Sequence, residues 1–348
     1  MPALLRLLKS RAAGVPLALA LLAAGGCQSQ SDAATAAAPP PVGHYEGSLT
    51  VAGQPETRIA LDIRHPSPGH YEAELTAPTA PGLSFVADTV FFGNNQLRLV
   101  RPARPGQTLR LTSEGDFWRG TLGMDSVQAT TVLLKRGNPT PSTYHVEEVP
   151  QANGSGWLFG PADVGTLGPA LALLPDSATA AAAPLWADAL AREGTIVLLL
   201  PMAAAPTPET EMPRLRAALR LLRSTPGADT ANVGAWAAGR RAAALAQAVA
   251  APNGSRASYL IMQNASIDPA TRAALRELRN RKLSVLGLYG GLGTGAQAAA
   301  LRNALGGRRG AVVRSYRTGG ADLLVPGGLS PRLGPGLPAD VVEWMRSR

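Results

Sequence analysis

The stretch Ala231-Asn232-Val233-Gly234-Ala235-Trp236-Ala237-Ala238-Gly239-Arg240-Arg241-Ala242 decides the fold of the second half of this chain. Its short apolar run, 233–236, predicts a buried strand, and the Ala/Arg-rich segment 240–251 predicts a helix. Between them lies a corner of small residues, 237–241, with Gly239 at its centre. A tight strand-to-helix corner presents its central side chain at the end of a sheet. Gly239 offers no side chain there, but glycine accepts the positive φ that such a corner imposes.

The pattern around this corner is an alternation of strands and helices over 144–348. Segments 169–174 and 196–200 are continuous apolar runs, as parallel strands covered on both faces require. Between them 183–192 has helical spacing, with Leu185, Trp186 and Leu190 on one side. Segment 211–223 is an amphipathic helix in which Leu215, Leu219 and Leu222 recur with arginines between them. After the corner come a strand at 259–263, a helix at 269–281, a strand at 283–289 and a helix at 295–305. A strand at 311–316 and a terminal helix at 338–348 complete the set. Such alternation predicts a doubly wound, mostly parallel sheet.

Toward the N-terminus the period changes to two. Ile59, Leu61 and Ile63 alternate with Arg58, Ala60 and Asp62, and the pairs Leu97/Leu99 and Leu109/Leu111 repeat the pattern. Further short strands are expected at 45–51, 71–75, 86–92, 117–122 and 128–134, separated by turn residues such as Pro66-Ser67-Pro68-Gly69 and Gly93-Asn94-Asn95. About eight short strands over 44–136 predict an all-β antiparallel barrel or sandwich. Segment 137–143 (GNPTPST) reads as a linker, and 28–43, Gln/Ser/Ala-rich and then Pro-rich, as a flexible tether. His44, His65 and His70 fall at strand ends without ligand spacing around them, so they are expected to be solvated and no metal site is expected.

The first residues read as a targeting signal. Arg6, Lys9 and Arg11 precede an apolar run, 12–24, that is short for a bilayer span and ends in small residues. Ala24-Gly25-Gly26-Cys27 resembles a bacterial lipobox, which implies lipidation of Cys27 and a signal peptide over 1–27. Cys27 is the single cysteine, so no internal disulfide is available. The expected location is therefore a bacterial membrane, in the periplasm or at the outer membrane and cell surface. The formal charge is +9, or about +6 once the three signal cations leave, and it is carried by arginine almost throughout. No basic run interleaves with aromatics, which excludes nucleic acid as a partner, whereas an anionic small molecule or envelope polymer suits the charge.

The strand–corner–helix unit and the element order resemble an α/β-hydrolase domain without a lid. The first domain resembles the β-domain found ahead of such domains in bacterial envelope proteins. Tyr45-Glu46-Gly47-Ser48-Leu49, Phe117-Trp118-Arg119-Gly120-Thr121-Leu122 and Thr131-Val132-Leu133-Leu134-Lys135-Arg136 carry that second resemblance. The first implies a nucleophile within G-x-S-x-G, then an acid, then a histidine. Gly239 stands at the serine position, with Ala237 and Arg241 in place of the motif glycines. The acid position, in Tyr289-Gly290-Gly291-Leu292-Gly293, holds Gly293. The histidine position, in Thr318-Gly319-Gly320-Ala321-Asp322-Leu323-Leu324, holds Asp322. The loops resembling P-G-S-G and D-x-R-G read Pro175-Asp176-Ser177-Ala178 and Pro201-Met202-Ala203-Ala204. The last of the four histidines is His145, so no histidine relay can be assembled within 146–348.

The expectation is an inactive hydrolase-like protein of the envelope with a binding or scaffolding role, and no cofactor. Two other classes remain beside it: a carboxylic-ester hydrolase or serine-peptidase-like enzyme with an unconventional site, and a lipid or glycan carrier using the β-domain interior. The candidate ligand-binding groups are Arg240, Arg241 and Asp322. Three arrangements are open to them: Asp322 pairs with an arginine and plugs the old pocket, the pocket accepts an anion, or both arginines are solvated.

Overall fold

Alternation of apolar and polar residues builds the first sheet. The computed structural model describes residues 39–87, 89–101, 104–124, 127–151, 154–307, 310–326 and 332–348. The signal, the lipobox with Cys27 and most of the tether lie outside them. Nine antiparallel strands form the first sheet: β1 (Gly43–Thr50), β2 (Thr57–Ser67), β3 (His70–Thr76), β4 (Phe85–Ala87), β5 (Val90–Gly93), β6 (Gln96–Arg101), β7 (Arg104–Glu114), β8 (Phe117–Met124) and β9 (Val127–Gly137). Their spatial order, β4-β3-β2-β1-β9-β8-β7-β6-β5, is a meander folded round so that the last strand pairs with the first.

The strand expected at 86–92 is split into β4 and β5. These pair with β3 and β6 at opposite edges, so the chain must leave one edge and join the other between them. β4 also lies near β6, so the ring is almost closed. Its interior is packed with the alternating apolar set, including Leu61, Ile63, Leu75, Leu97, Leu99 and Leu109, all essentially without solvent exposure. Trp118 meets Tyr45 and Phe92 edge-on, with centroids 6.3 and 6.1 Å away. A filled interior removes the carrier reading, which needed an open one.

The second sheet has eight strands: β10 (Tyr144–Gln151), β11 (Gly154–Pro161), β12 (Gly168–Leu174), β13 (Ile196–Leu199), β14 (Ala228–Ala238), β15 (Tyr259–Gln263), β16 (Ser284–Gly290) and β17 (Ala311–Tyr316). The order is β10-β11-β13-β12-β14-β15-β16-β17. Only β11 runs against the common direction, being antiparallel to both of its neighbours, β10 and β13. A short ribbon, β18 (Leu324–Val325) with β19 (Arg332–Leu333), follows the last sheet strand.

The helices are α1 (Ala183–Arg192), α2 (Pro208–Ser224), α3 (Gly239–Ala250), α4 (Pro269–Asn280), α5 (Gly295–Leu305) and α6 (Leu337–Arg346). Helices α2–α5 pack their apolar stripes on one face of the sheet, and α1 and α6 cover the other. The central strands are therefore buried on both sides, as their continuous apolar runs require. Two of the helix starts are capped by side chains. Thr207 forms a capping box with Thr210 ahead of α2, and the Asp268 carboxylate caps α4 by accepting from the Thr271 N–H at 2.7 Å.

Segment 137–143, expected to be a free linker, is tied down. The Asp62 carboxylate accepts from Thr140 N (2.7 Å) and Thr140 Oγ1 (2.9 Å). The same carboxylate pairs with His44 Nδ1 at 2.9 Å, so His44 is held rather than simply solvated. The two sheets belong to one compact unit spanning 38–348, each with its own core.

Candidate functional site

Strand β14 stays extended up to Ala238 (φ −112°, ψ 151°), and Gly239 then turns into the left-handed region with φ +52°. This is the sharp strand-to-helix corner expected at 237–241, and it is the backbone form of a nucleophile elbow. A Cβ placed on Gly239 would lie 2.0 Å from Oδ2 of Asp176. The space into which an elbow side chain projects is thus occupied by a carboxylate from the loop after β12.

Asp176 is fixed there by its own loop. Its Oδ1 accepts from Thr179 N at 3.1 Å and from Thr179 Oγ1 at 2.8 Å, while Thr179 Oγ1 accepts from Asp176 N at 3.1 Å. This reciprocal pair closes a tight turn and leaves Oδ2 facing Gly239. The neighbouring Ser177 is exposed on the same loop. The loop sequence Pro175-Asp176-Ser177-Ala178 does not announce this contact, because the approach of Asp176 to Gly239 depends on tertiary packing.

The acid and histidine positions are filled differently. Gly293 lies beyond the end of β16 with φ +83°, and a Cβ there would meet nothing within 4 Å. Asp322 lies in the loop after β17, where its Oδ1 accepts from Leu324 N at 3.0 Å. The main chain of that loop is gripped by neutral donors. Trp186 Nε1 donates to Asp322 O (3.1 Å), and Gln263 Nε2 and Asn264 Nδ2 donate to Ala321 O (2.8 and 2.7 Å). Gln263 is itself oriented by the buried Trp236, whose Nε1 donates to Gln263 Oε1 at 2.9 Å. Where a relay would transfer a proton, the fold has placed indole and amide groups that do not titrate near neutral pH.

The two arginines part company. Arg240 is exposed. Arg241 is 1 % exposed and bonded to the buried Glu211, Nε to Oε2, at 3.1 Å. Its Nη1 donates to the carbonyls of Pro175 (3.2 Å) and Pro201 (2.9 Å), at the ends of β12 and β13. Arg241 is therefore neither a partner of Asp322 nor solvated, contrary to two of the expected arrangements. It is a strut joining α3, α2 and two strand-end loops. Burial pulls its pKa below the usual arginine value, against the opposing pull of Glu211. A guanidinium in the first turn of a helix also opposes the helix dipole, and Glu211 is the acid that offsets both costs.

Glu211 was legible as an anomaly. It sits on the buried stripe of α2 with Leu215, Ala218, Leu219 and Leu222, where a carboxylate requires a buried cation. Among the described residues, no group of three or more His, Cys, Asp or Glu side chains is arranged to hold a metal ion.

No family model and no curated protein matches this sequence. Several solved structures superpose on it loosely. Dienelactone hydrolase from Anabaena variabilis shares 17 % identity at a TM-score of 0.42, over 59 % of this chain and 97 % of that one. Dipeptidyl peptidase 4 from Porphyromonas gingivalis shares 12 % at 0.43, over 87 % of this chain and 48 % of that one. The acylaminoacyl peptidase of Pyrococcus horikoshii shares 10 % at 0.39, over 81 % and 62 %. The α/β-hydrolase-like fold of 144–348 rests instead on the chain's own strand order and on the elbow at Gly239.

Proposed function

We propose that this chain is a catalytically inactive α/β-hydrolase-like protein that binds or scaffolds in the bacterial envelope. The observation that carries the reading is the Asp176 carboxylate standing where a side chain at Gly239 would project. Acyl transfer needs a nucleophile, a base poised near neutral pH and donors for the oxyanion. This domain has a glycine at the first position and no histidine after His145 to act as the second. The lipobox-like Ala24-Gly25-Gly26-Cys27 supports anchoring to a membrane through lipid on Cys27.

The test is incubation with p-nitrophenyl esters of graded chain length and with a fluorophosphonate probe. Neither turnover above buffer nor labelling is expected. Labelling of a serine, Ser177 included, would restore the alternative of a hydrolase with an unconventional site. Anchoring is checked separately by metabolic incorporation of an alkynyl fatty acid, expected in the native chain and lost in Cys27→Ser.

A further inference from the structure

Beside the elbow, on the α2 face, the fold leaves a cavity of about 460 Å3, within the range of small-molecule sites. Leu200, Pro201, Pro213 and Ala217 give it apolar walls, and Arg241 forms part of its lining. Two of the guanidinium nitrogens of Arg241 are used internally, Nε on Glu211 and Nη1 on the two proline carbonyls. The third, Nη2, has no hydrogen-bond partner among the described residues, although the side chain is almost wholly buried. A cationic donor on the wall of a cavity, without a protein partner, is open to an acceptor that occupies the cavity.

The local charge points to the class of ligand. Glu211 is shared, Oε2 with Arg241 at 3.1 Å and Oε1 with Arg214 at 3.5 Å, so one buried carboxylate faces two guanidinium groups. Glu209 lies at the exposed rim, where water screens it. Burial is the main cause of the lowered pKa of Arg241, and Glu211 and the nearby Asp176 act against it. An anion seated here would also relieve the unfavourable position of Arg241 in the first turn of α3.

The geometry points to a binding site for a small monocarboxylate with an apolar body, its carboxylate on Nη2 of Arg241 and its body against Leu200, Pro201 and Pro213. This deepens the binding reading and rests on it, but the site lies beside the former catalytic corner rather than in it. The carboxylate accepts a charge-assisted hydrogen bond at the closed end, and the apolar walls exclude water from it.

The experiment is isothermal titration of the purified full chain with 4-phenylbutanoate and with its neutral isostere 4-phenylbutanamide. The acid is expected to bind and the amide to bind about tenfold or more weakly, the difference between a charge-assisted and a neutral hydrogen bond. Ala217→Trp fills the cavity from the exposed side of α2 and leaves the Arg241–Glu211 pair untouched. It is expected to melt as the native chain does and to lose the acid. Absence of binding to the native chain, equal binding of acid and amide, or unchanged binding in a folded Ala217→Trp would each overturn the site. Ester turnover in the separate hydrolase test would overturn the inactive reading without altering this titration, so the two failures are distinguishable.

Discussion

At the elbow, the carboxylate of Asp176 is only partly buried, its bonds are made to its own loop, and it fills space beside a glycine. Two residues further along α3 lies Arg241, and the carboxylate bonded to its buried guanidinium, Glu211 of α2, is fully buried. Both acids meet the first turn of the same helix. The first is held by Thr179 of its own loop, so the corner needs nothing beyond glycine's freedom at φ +52°. The second is bound into the core, where the pair with Arg241 is its shortest contact. The comparison separates two properties that an active elbow combines. Closure of the corner at Gly239 is local, whereas the paired charge lies behind it in the core.

The largest effect is expected at the buried pair. Arg241→Leu leaves Glu211 with the more distant Arg214 alone, and Glu211→Leu leaves Arg241 without its carboxylate, each at a cost of about 3–5 kcal/mol of stability. The double replacement should recover most of that loss. Urea denaturation of the three variants checks this, and a double variant no better than the singles would show that the carbonyl contacts matter more than the ion pair.

A smaller effect is expected at the corner. Gly239→Ala forces a Cβ into the left-handed region and onto Asp176, at a cost of about 1–3 kcal/mol. In the background of Asp176→Ala the same substitution should cost less, because the collision is gone and only backbone strain remains. Additive losses around that cycle would remove Asp176 from the account of the elbow.

Thr207→Ala removes the cap of the helix that carries Glu211 and should cost about 1 kcal/mol, a loss shared by α2 alone. A smaller effect again belongs to an exposed carboxylate used as reference for both buried and half-buried ones. The backbone N–H and hydroxyl of Thr271 hold Asp268 below its ordinary pKa. Its folded value lies below the unfolded one, so its contribution is present above about pH 4 and is lost as pH falls through the folded value. Asp268→Asn keeps an acceptor at the cap and should flatten that part of the acid-unfolding curve, measured by circular dichroism.

Much of this architecture was readable from the chain. The helix at 295–305 and the strands at 259–263 and 311–316 emerge with the bounds expected from periodicity. The hairpin β10–β11 was not foreseen. It is half-polar, carries Gly154-Ser155-Gly156 at the start of its second strand, and is held by pairing to β13 rather than by a pattern of its own. The corner at Gly239 was legible because strand, small residues and helix are contiguous. Asp176 was not, since its approach to Gly239 joins residues far apart in sequence. Glu211 lies between these cases: a lone carboxylate on the stripe of Leu215, Leu219 and Leu222 demands a buried cation, but does not say which arginine supplies it.

The most direct test of the central claim is intact-mass analysis of the full chain after prolonged exposure to a fluorophosphonate at neutral pH. An unmodified mass is predicted, because the elbow carries glycine against a carboxylate and the domain has no histidine base. A stoichiometric adduct on any serine of 144–348 would contradict it.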